Sequence, residues 1–496
     1  MGFMGWKWKV LLILTLSLIP VVSFAAYHHE GEQDAGVFLS VYPDKAGTKL
    51  DSCILCHGGG QYTDSKGKTV NLGSCQWCHH IYGYDASGDI HKTLNSYGWD
   101  YLSYGRNAQA LEAMKGLDSD NDTYLNEVEI AALRFPGDAN DDPSKVVAPS
   151  RVFSLADLEK LPQVNQFMQM NAHKSTDFYA QYTGVSMERL LKKTLRVLPS
   201  ATGIKVFAPD GWSQYHPLYA DPDPLMYPVY GTYPAASFYY DVVADIAKNA
   251  GGWVDYKADS CAGRRDGDVI ANDKPLKMIL AYKRDGELLT PGVLTPENKL
   301  DGEGPFRMVP PQKNPGPPDQ RSTASDQNVP WPFDNNADHN AGYSTRTATM
   351  VKVEPLPPGT TDIDSLEAGW EFVDEGKIIF YGAIDPTPTI KQKLNDLMAA
   401  VKLLDPKSFK HKLLQSQFGL NLRNAKWFLA SGHHQHAVTL LRNDTAPRVN
   451  GCQKRGKPDA DDWVKDCTTQ NQLYWTVNEV LVLLDLLLSP GEQTAN

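Results

Sequence analysis

Two short stretches carry residues that do chemistry. "DSCILCHGGG" (Asp51 to Gly60) and "GSCQWCHHIYG" (Gly73 to Gly83) each hold two cysteines three positions apart, followed directly by histidine. Three chemistries use cysteines at this spacing. Read as cysteines alone, C-x2-C, eighteen residues and C-x2-C fall inside the zinc-ribbon window. Either pair closes a disulfide in an oxidising compartment. C-x-x-C-H is also the attachment pattern of c-type haem, in which two thiols bond the vinyl groups of one porphyrin and the adjacent histidine lies beneath the iron. A four-cysteine zinc site has no use for His57 or His79, and the doubled histidine therefore favours two covalent haems. On that reading Cys53, Cys56, Cys75 and Cys78 hold the porphyrins and His57 and His79 are the proximal iron ligands. His80 and His91 are the nearest distal candidates, with His28, His29 and Met114 further off.

A second constellation, "DSDNDTYLNEVE", spans Asp118 to Glu129 and follows the twelve-residue EF-hand pattern. Asp118, Asp120 and Asp122 take positions 1, 3 and 5, the Tyr124 carbonyl position 7, Asn126 position 9, and Glu129 the bidentate position 12. Calcium is a hard cation that takes six to eight oxygens, which is the reason for alternating carboxylates. One departure stands out: position 6 is Thr123 where the pattern has glycine. A β-branched residue forced left-handed costs about 1–2 kcal/mol. "NAQALEAMKG" before the loop and "EVEIAALRF" after it supply flanking helices. One structural calcium is expected.

The elements around these sites set the context. Lys7 and Lys9, the apolar run Val10 to Ile19, and Ser23-Phe24-Ala25 have the layout of a signal peptide cleaved near Ala25. The run is broken by Pro20 and is shorter than the roughly 20 residues a membrane span needs. An exported chain, periplasmic or on the outer cell surface, meets the compartment in which c-type haem is attached. The net charge of −11 argues against nucleic acid or an anionic membrane as partner and leaves metal ions and other redox proteins. Of seven cysteines, four sit in the C-x-x-C pairs and Cys261 stands alone. Cys452 and Cys467 read as a disulfide across a loop of about 15 residues, contributing about 3 kcal/mol in the chain-entropy account.

At 496 residues the chain has room for about three domains. Residues 26–105 are poor in long apolar runs, and two haems would supply their core. Gly58, Gly59 and Gly60 let the backbone approach a flat macrocycle closely. After the Pro/Asp-rich "FPGDANDDPS" the composition turns globular. "GVSMERLLKKTLRV" (Gly184 to Val197) reads as a helix with Val185, Leu190, Leu191 and Leu195 on one face. "TGIKVFAPDGWS" and "PLKMILAYKRDGELLTP" read as strands meeting Asp-Gly turns. "DGEGPFRMVPP" reads as a glycine-rich turn and a short strand, and "TATMVKVEPL" and "WEFVDEGKIIFYGAI" as two more strands. Residues 389–490 carry helical periodicity, entered through Pro386 and Pro388. Within them "GHHQHA" (His433, His434, His436) reads as a polar helix start, with metal binding the alternative.

The order "YTGVSMERLL", "VFAPDGW", "ILAYKRDGELL", "GPFRMVPP" resembles the molybdopterin-binding domain of the sulfite oxidase family. Together with two C-x-x-C-H motifs, an EF-hand-like loop and "GEGP" at Gly302 to Pro305, the chain is similar to the GEGP-motif diheme c-type cytochromes. That resemblance implies an exported electron carrier rather than an enzyme. It departs from the molybdenum enzymes at one point: their metal-ligating cysteine precedes the "TGV" segment, and residues 150–183 contain none. Molybdopterin is therefore not expected, and Cys261 reads as an unpaired thiol. The organisation expected is multidomain α+β. It comprises a signal peptide (1–25), a diheme region (26–105), an EF-hand-like segment (106–150), a mixed α/β domain (151–385) and a helical domain (386–496). The rivals are a molybdenum oxidoreductase with a haem relay and a zinc- and calcium-bound extracellular binding module.

Overall fold

The computed structural model describes residues 33–51, 54–57, 61–63, 69–71, 94–172, 178–210, 212–220, 226–235, 238–240, 268–295, 300–316, 338–363 and 369–488. Helices and sheets both contribute, as an α+β chain requires, and the buried apolar residues separate into distinct cores.

The first core is small and helical. It gathers Phe38 from α1 (Gln33–Val41), Leu55 from α2 (Ile54–His57), Tyr97 and Tyr101 from α3 (Ser96–Ser103), Leu111 and Met114 from α4 (Ala108–Met114) and Ile130 from α5 (Asn126–Ala131). Asn107 caps α4 by accepting from the Ala110 amide at 2.9 Å, which fixes where the helix before the acidic loop begins. No helix among the described residues is long and apolar enough to cross a membrane.

Two sheets share the largest core. The relevant strands are β1 (Val146–Val147), β2 (Ser150–Ser154), β3 (Gln163–Met170), β4 (Phe178–Ser186), β5 (Gly203–Phe207), β6 (Ser213–Pro217), β7 (Ile279–Arg284), β8 (Glu287–Leu288), β9 (Arg307–Val309), β10 (Met350–Glu354), β11 (Thr360–Thr361) and β12 (Lys377–Gly382). One sheet runs β8-β7-β4-β3 with β9 also paired to β7, antiparallel throughout. The other runs β2-β12-β10-β5-β6, and only β10·β12 is parallel in it. Asp285 (φ 52°) and Gly286 (φ 89°) make the left-handed two-residue turn that the Asp-Gly pair forecast.

Two local expectations need correcting. Gly184 and Val185 end β4, paired to Ala281 and Leu280, and the helix α6 starts only at Met187 (Met187–Arg189, continuing as a π-helix over Leu190–Leu195). Ser186 decides the boundary, since its side chain accepts from the Arg189 amide and caps the helix. Val185 is thus buried on a strand, while Leu190, Leu191 and Leu195 are buried on the helix as expected. "WEFVDEGKIIFYGAI" is also not one strand. Its first part forms α7 (Trp370–Asp374), and Gly376 at φ 61° ends that turn before β12 begins.

The last core is mostly helical. α8 (Thr387–Leu403) buries Ile390, Leu394, Leu397 and Val401, one stripe at helical spacing, against α9 (Lys412–Ala430) and α11 (Cys467–Asp485), with α10 (His434–Thr439) between the latter two. The sulfurs of Cys452 and Cys467 are bonded, with Cα atoms 5.4 Å apart, and the link ties the start of α11 to the one-turn helix Gly451–Arg455 before it. Cys452→Ser should lower the stability of this helical region by about 3 kcal/mol, the value for a closed loop of that length. A urea midpoint equal to that of the parent chain would contradict it.

Candidate calcium loop and haem-attachment helix

The acidic loop brings its aspartates together. Carboxylate oxygens of Asp118, Asp120 and Asp122 lie within 4.8 Å of one another. Asp118 accepts from the Asp122 amide at 3.1 Å and the Thr123 amide at 2.9 Å, which curls the loop around its own ligands. Thr123 adopts φ 88° and Asn121 φ 63°. The sharp turn is made without glycine, at the strain the β-branched residue carries. Glu129, on α5, is fully buried, and neither of its carboxylate oxygens has a partner. One oxygen each of Asp120 and Asp122 is likewise buried without a partner. Buried carboxylate oxygens without partners, on Asp120, Asp122 and Glu129, are the groups that a bound cation or a proton would satisfy.

The electrostatics agree. Burial, with Asp120 and Asp122 adding to it, pushes the Glu129 carboxyl up to about 9. Burial and the neighbouring Asp122 push Asp120 up to about 6. Asn126 plays a different part from the one the EF-hand alignment assigns. Its amide donates to the Met114 carbonyl (2.9 Å) and Ser119 Oγ (2.9 Å) and accepts from the Ser119 amide (3.2 Å). It braces the loop against α4. Met114 is fully buried in the first core, packed among apolar side chains.

Of the first C-x-x-C-H motif, α2 and the Cys56 side chain are described; Cys53 and the His57 side chain lie outside the described residues, as do Cys75, Cys78, His79, His80, His91, His28, His29 and Cys261. Cys56 is not in a disulfide, and burial pushes its thiol up to about 12. The helix is held by its carbonyls. The Asn95 amide nitrogen donates to Cys56 O at 2.8 Å, and its side chain donates to Leu55 O at 3.0 Å while accepting from the Gly98 amide at 2.8 Å. One residue therefore caps α3 and clamps α2. Gly98 permits the contact, since a Cβ there would fall 2.5 Å from Cys56 O. Tyr97, one position earlier, is buried with its hydroxyl unpartnered.

A third cluster escaped the sequence reading. Lys49 is fully buried, and its ammonium donates to Asp141 Oδ2 at 3.0 Å and Thr361 Oγ1 at 2.8 Å over the Phe135 ring. It joins the segment before Cys53 to the post-loop segment and to β11, which pairs in parallel with β1. The only signal in sequence was a lysine among turn residues, which says nothing about burial.

The remaining motifs resolve into structure. In "GEGP", Gly302 has φ 92°, and a Cβ on Gly304 would fall 2.5 Å from Leu289 O, so both glycines serve close backbone approach. Glu303 between them accepts from Arg284 (2.9 Å) and from the buried Arg307 (2.8 Å). A cavity of about 590 Å³ opens beside this turn; its charged walls are Arg284, Asp285, Asp301, Glu303 and Arg346, of which Arg284 and Glu303 are paired with each other. His433 stacks on Trp427 and His436 on Phe428, with the two imidazoles edge to face at 5.7 Å. Neither caps its helix through a side chain. No protein-family model, curated protein or solved structure matches the chain.

Proposed function

We propose that the chain is an exported diheme c-type cytochrome that carries electrons between redox proteins or to an acceptor outside the cell. A structural calcium ion is held in the 118–129 loop. The doubled C-x-x-C-H carries the reading. What the described residues add is compatible with it: Cys56 is outside any disulfide, on a one-turn helix whose carbonyls are clamped from behind. Tyr97 holds an unpartnered buried hydroxyl in the same core, a donor waiting for an acceptor.

When bound, each haem supplies an iron that takes up and releases one electron. The chain's own work is to hold and tune it. Cys53 and Cys56, and Cys75 and Cys78, would anchor the two groups, with His57 and His79 as their proximal iron ligands. His80 and His91 remain the distal candidates. Asn95 and Gly98 keep α2 in register against α3, so the first attachment turn cannot slide. The calcium ligands are Asp118, Asp120, Asp122, Glu129 and the Tyr124 carbonyl, with Asn126 as brace.

The middle domain serves as support and docking surface. The resemblance to the sulfite oxidase family would put a ligating cysteine ahead of the "TGV" segment, and residues 150–183 contain none, so molybdenum is not part of this reading. In a host that matures c-type haem, the purified protein should be red and carry two haems per chain. Cys56→Ala and Cys78→Ala should each lose one of the two. A colourless protein containing zinc would refute the assignment.

A further inference from the structure

One helix of the C-terminal core carries a second apolar line, turned to solvent. α9 buries Phe418, Leu422, Ala425 and Leu429 on its inner face, and that stripe is enough to hold it in the core. On its outer face Leu413, Leu420 and Trp427 recur every seven residues and are 63, 40 and 61 % exposed. Residues seven apart share one side of a helix, so the three form a line along it. Arg423, exposed, follows Leu420 by three positions and precedes Trp427 by four, which sets it beside both. Lys412 is exposed at the start of the same helix.

The charge around this line has one sign. From Pro406 to Asn443 the chain carries Lys407, Lys410, Lys412, Arg423, Lys426 and Arg442 and no Asp or Glu, although acids outnumber Lys and Arg by 59 to 48 in the whole chain. The ion pairs of this core among the described residues, Lys393–Glu479 and Arg442–Asp485, leave Lys412 and Arg423 out. Lys426 donates to the neutral Asn395 Oδ1 at 2.6 Å. On the side of α8, the helix packed against α9, the acids are Asp396 and Asp405. The first accepts from Gln392 at 2.8 Å, and the second caps the turn that follows it.

We propose that this face of α9 docks on an anionic lipid surface, with Leu413, Leu420 and Trp427 entering the headgroup layer and Lys412 and Arg423 meeting lipid phosphate. The net charge of −11 speaks against such a surface for the chain as a whole, but it is carried outside this segment. Size and charge favour lipid over protein. A helix of 19 residues is about 28 Å long and about 10 Å wide, well short of the roughly 800 Å² that each side of a standard protein interface buries. A second copy meeting it face to face would set Lys412 and Arg423 against their own duplicates. A lipid surface asks only for an apolar line flanked by cations, and tryptophan suits its boundary with water. The inference is independent of the haem and calcium readings.

The test uses the whole protein, purified after export, with vesicles of phosphatidylcholine alone or of an equal mixture with phosphatidylglycerol. Co-sedimentation should show binding to the mixed vesicles at least about tenfold tighter than to the neutral ones, and salt should weaken it. Leu420→Glu and Arg423→Glu change exposed positions, so the unfolding midpoint should hold while each lowers binding about tenfold or more. Equal binding to both vesicle types, binding to neither, or undiminished binding by both variants would overturn the proposal. Self-association without vesicles, abolished by Leu420→Glu, would assign the line to a second copy and overturn it as well.

Discussion

Replacing Glu129 with alanine should abolish calcium binding while leaving haem attachment intact. The carboxylate is the bidentate ligand that closes an EF-hand loop, and its removal leaves three aspartates, carbonyl oxygen and water. Changes one shell further out already weaken metal sites by about 10- to 100-fold, and a loss beyond about 100-fold is expected here. The pH dependence follows from the same residue. In calcium-free protein Glu129 is raised from 4.5 to about 9 by burial and by its acidic neighbours, so it keeps its proton at neutral pH. The folded chain therefore binds more protons than the unfolded chain between those values, and calcium-free stability falls as pH rises through that window. Calcium displaces the proton, so its affinity should rise with pH up to about 9, with a lesser contribution from Asp120 near 6. Calorimetry in two buffers of different ionisation enthalpy counts the released protons. Binding without proton release, or normal calcium uptake by Glu129→Ala, would contradict the site.

Glu303→Ala should cost the middle domain about 3 to 5 kcal/mol, the penalty for stripping a buried charge of its partner. The charge left behind is Arg307, which is 5 % exposed and otherwise bonded only to the hydroxyls of Ser344 (2.7 Å) and Tyr182 (3.1 Å). Arg284 and Arg307 hold the Glu303 carboxyl below the usual range despite its burial. Arg307 belongs to β9 and Arg284 to β7, so the carboxylate also ties the turn to two strands of one sheet. Haem content should be unchanged, because the attachment turn lies in a separate core. Denaturant unfolding followed by Trp fluorescence reads the effect. A midpoint shift corresponding to less than about 1 kcal/mol would show that the "GEGP" turn does not depend on this network.

Much of the fold could be read from local signals, and the failures have local causes. The Asp285-Gly286 hairpin, the α8 stripe and the Cys452–Cys467 link each depend on neighbours in sequence or on one spacing, and all three are present. Apolar periodicity runs on across Ser186 and by itself puts Val185 on the helix. The strand pairing to Leu280, nearly a hundred residues away, overrode it. The β3·β4 hairpin went unread since its eight- and nine-residue strands mix Gln, Met and Tyr without clean alternation, both faces being partly buried. At the candidate site the ligands were legible and their supports were not. Asn95 precedes a helix, as a capping residue should, but nothing in the sequence says that its side chain also reaches Leu55. Lys49 and Asp141 are 92 positions apart, and only the folded chain brings them together.

The central claim is that this chain carries two covalent haems, and intact mass spectrometry of denatured, full-length protein tests it most directly. Thioether-bound haem survives unfolding, whereas zinc and non-covalent haem do not. The prediction is a mass above that of the mature polypeptide by two haems, falling by one haem in Cys56→Ala and by the other in Cys78→Ala. A denatured mass equal to the bare polypeptide, from a host shown to mature another c-type cytochrome, would contradict the account.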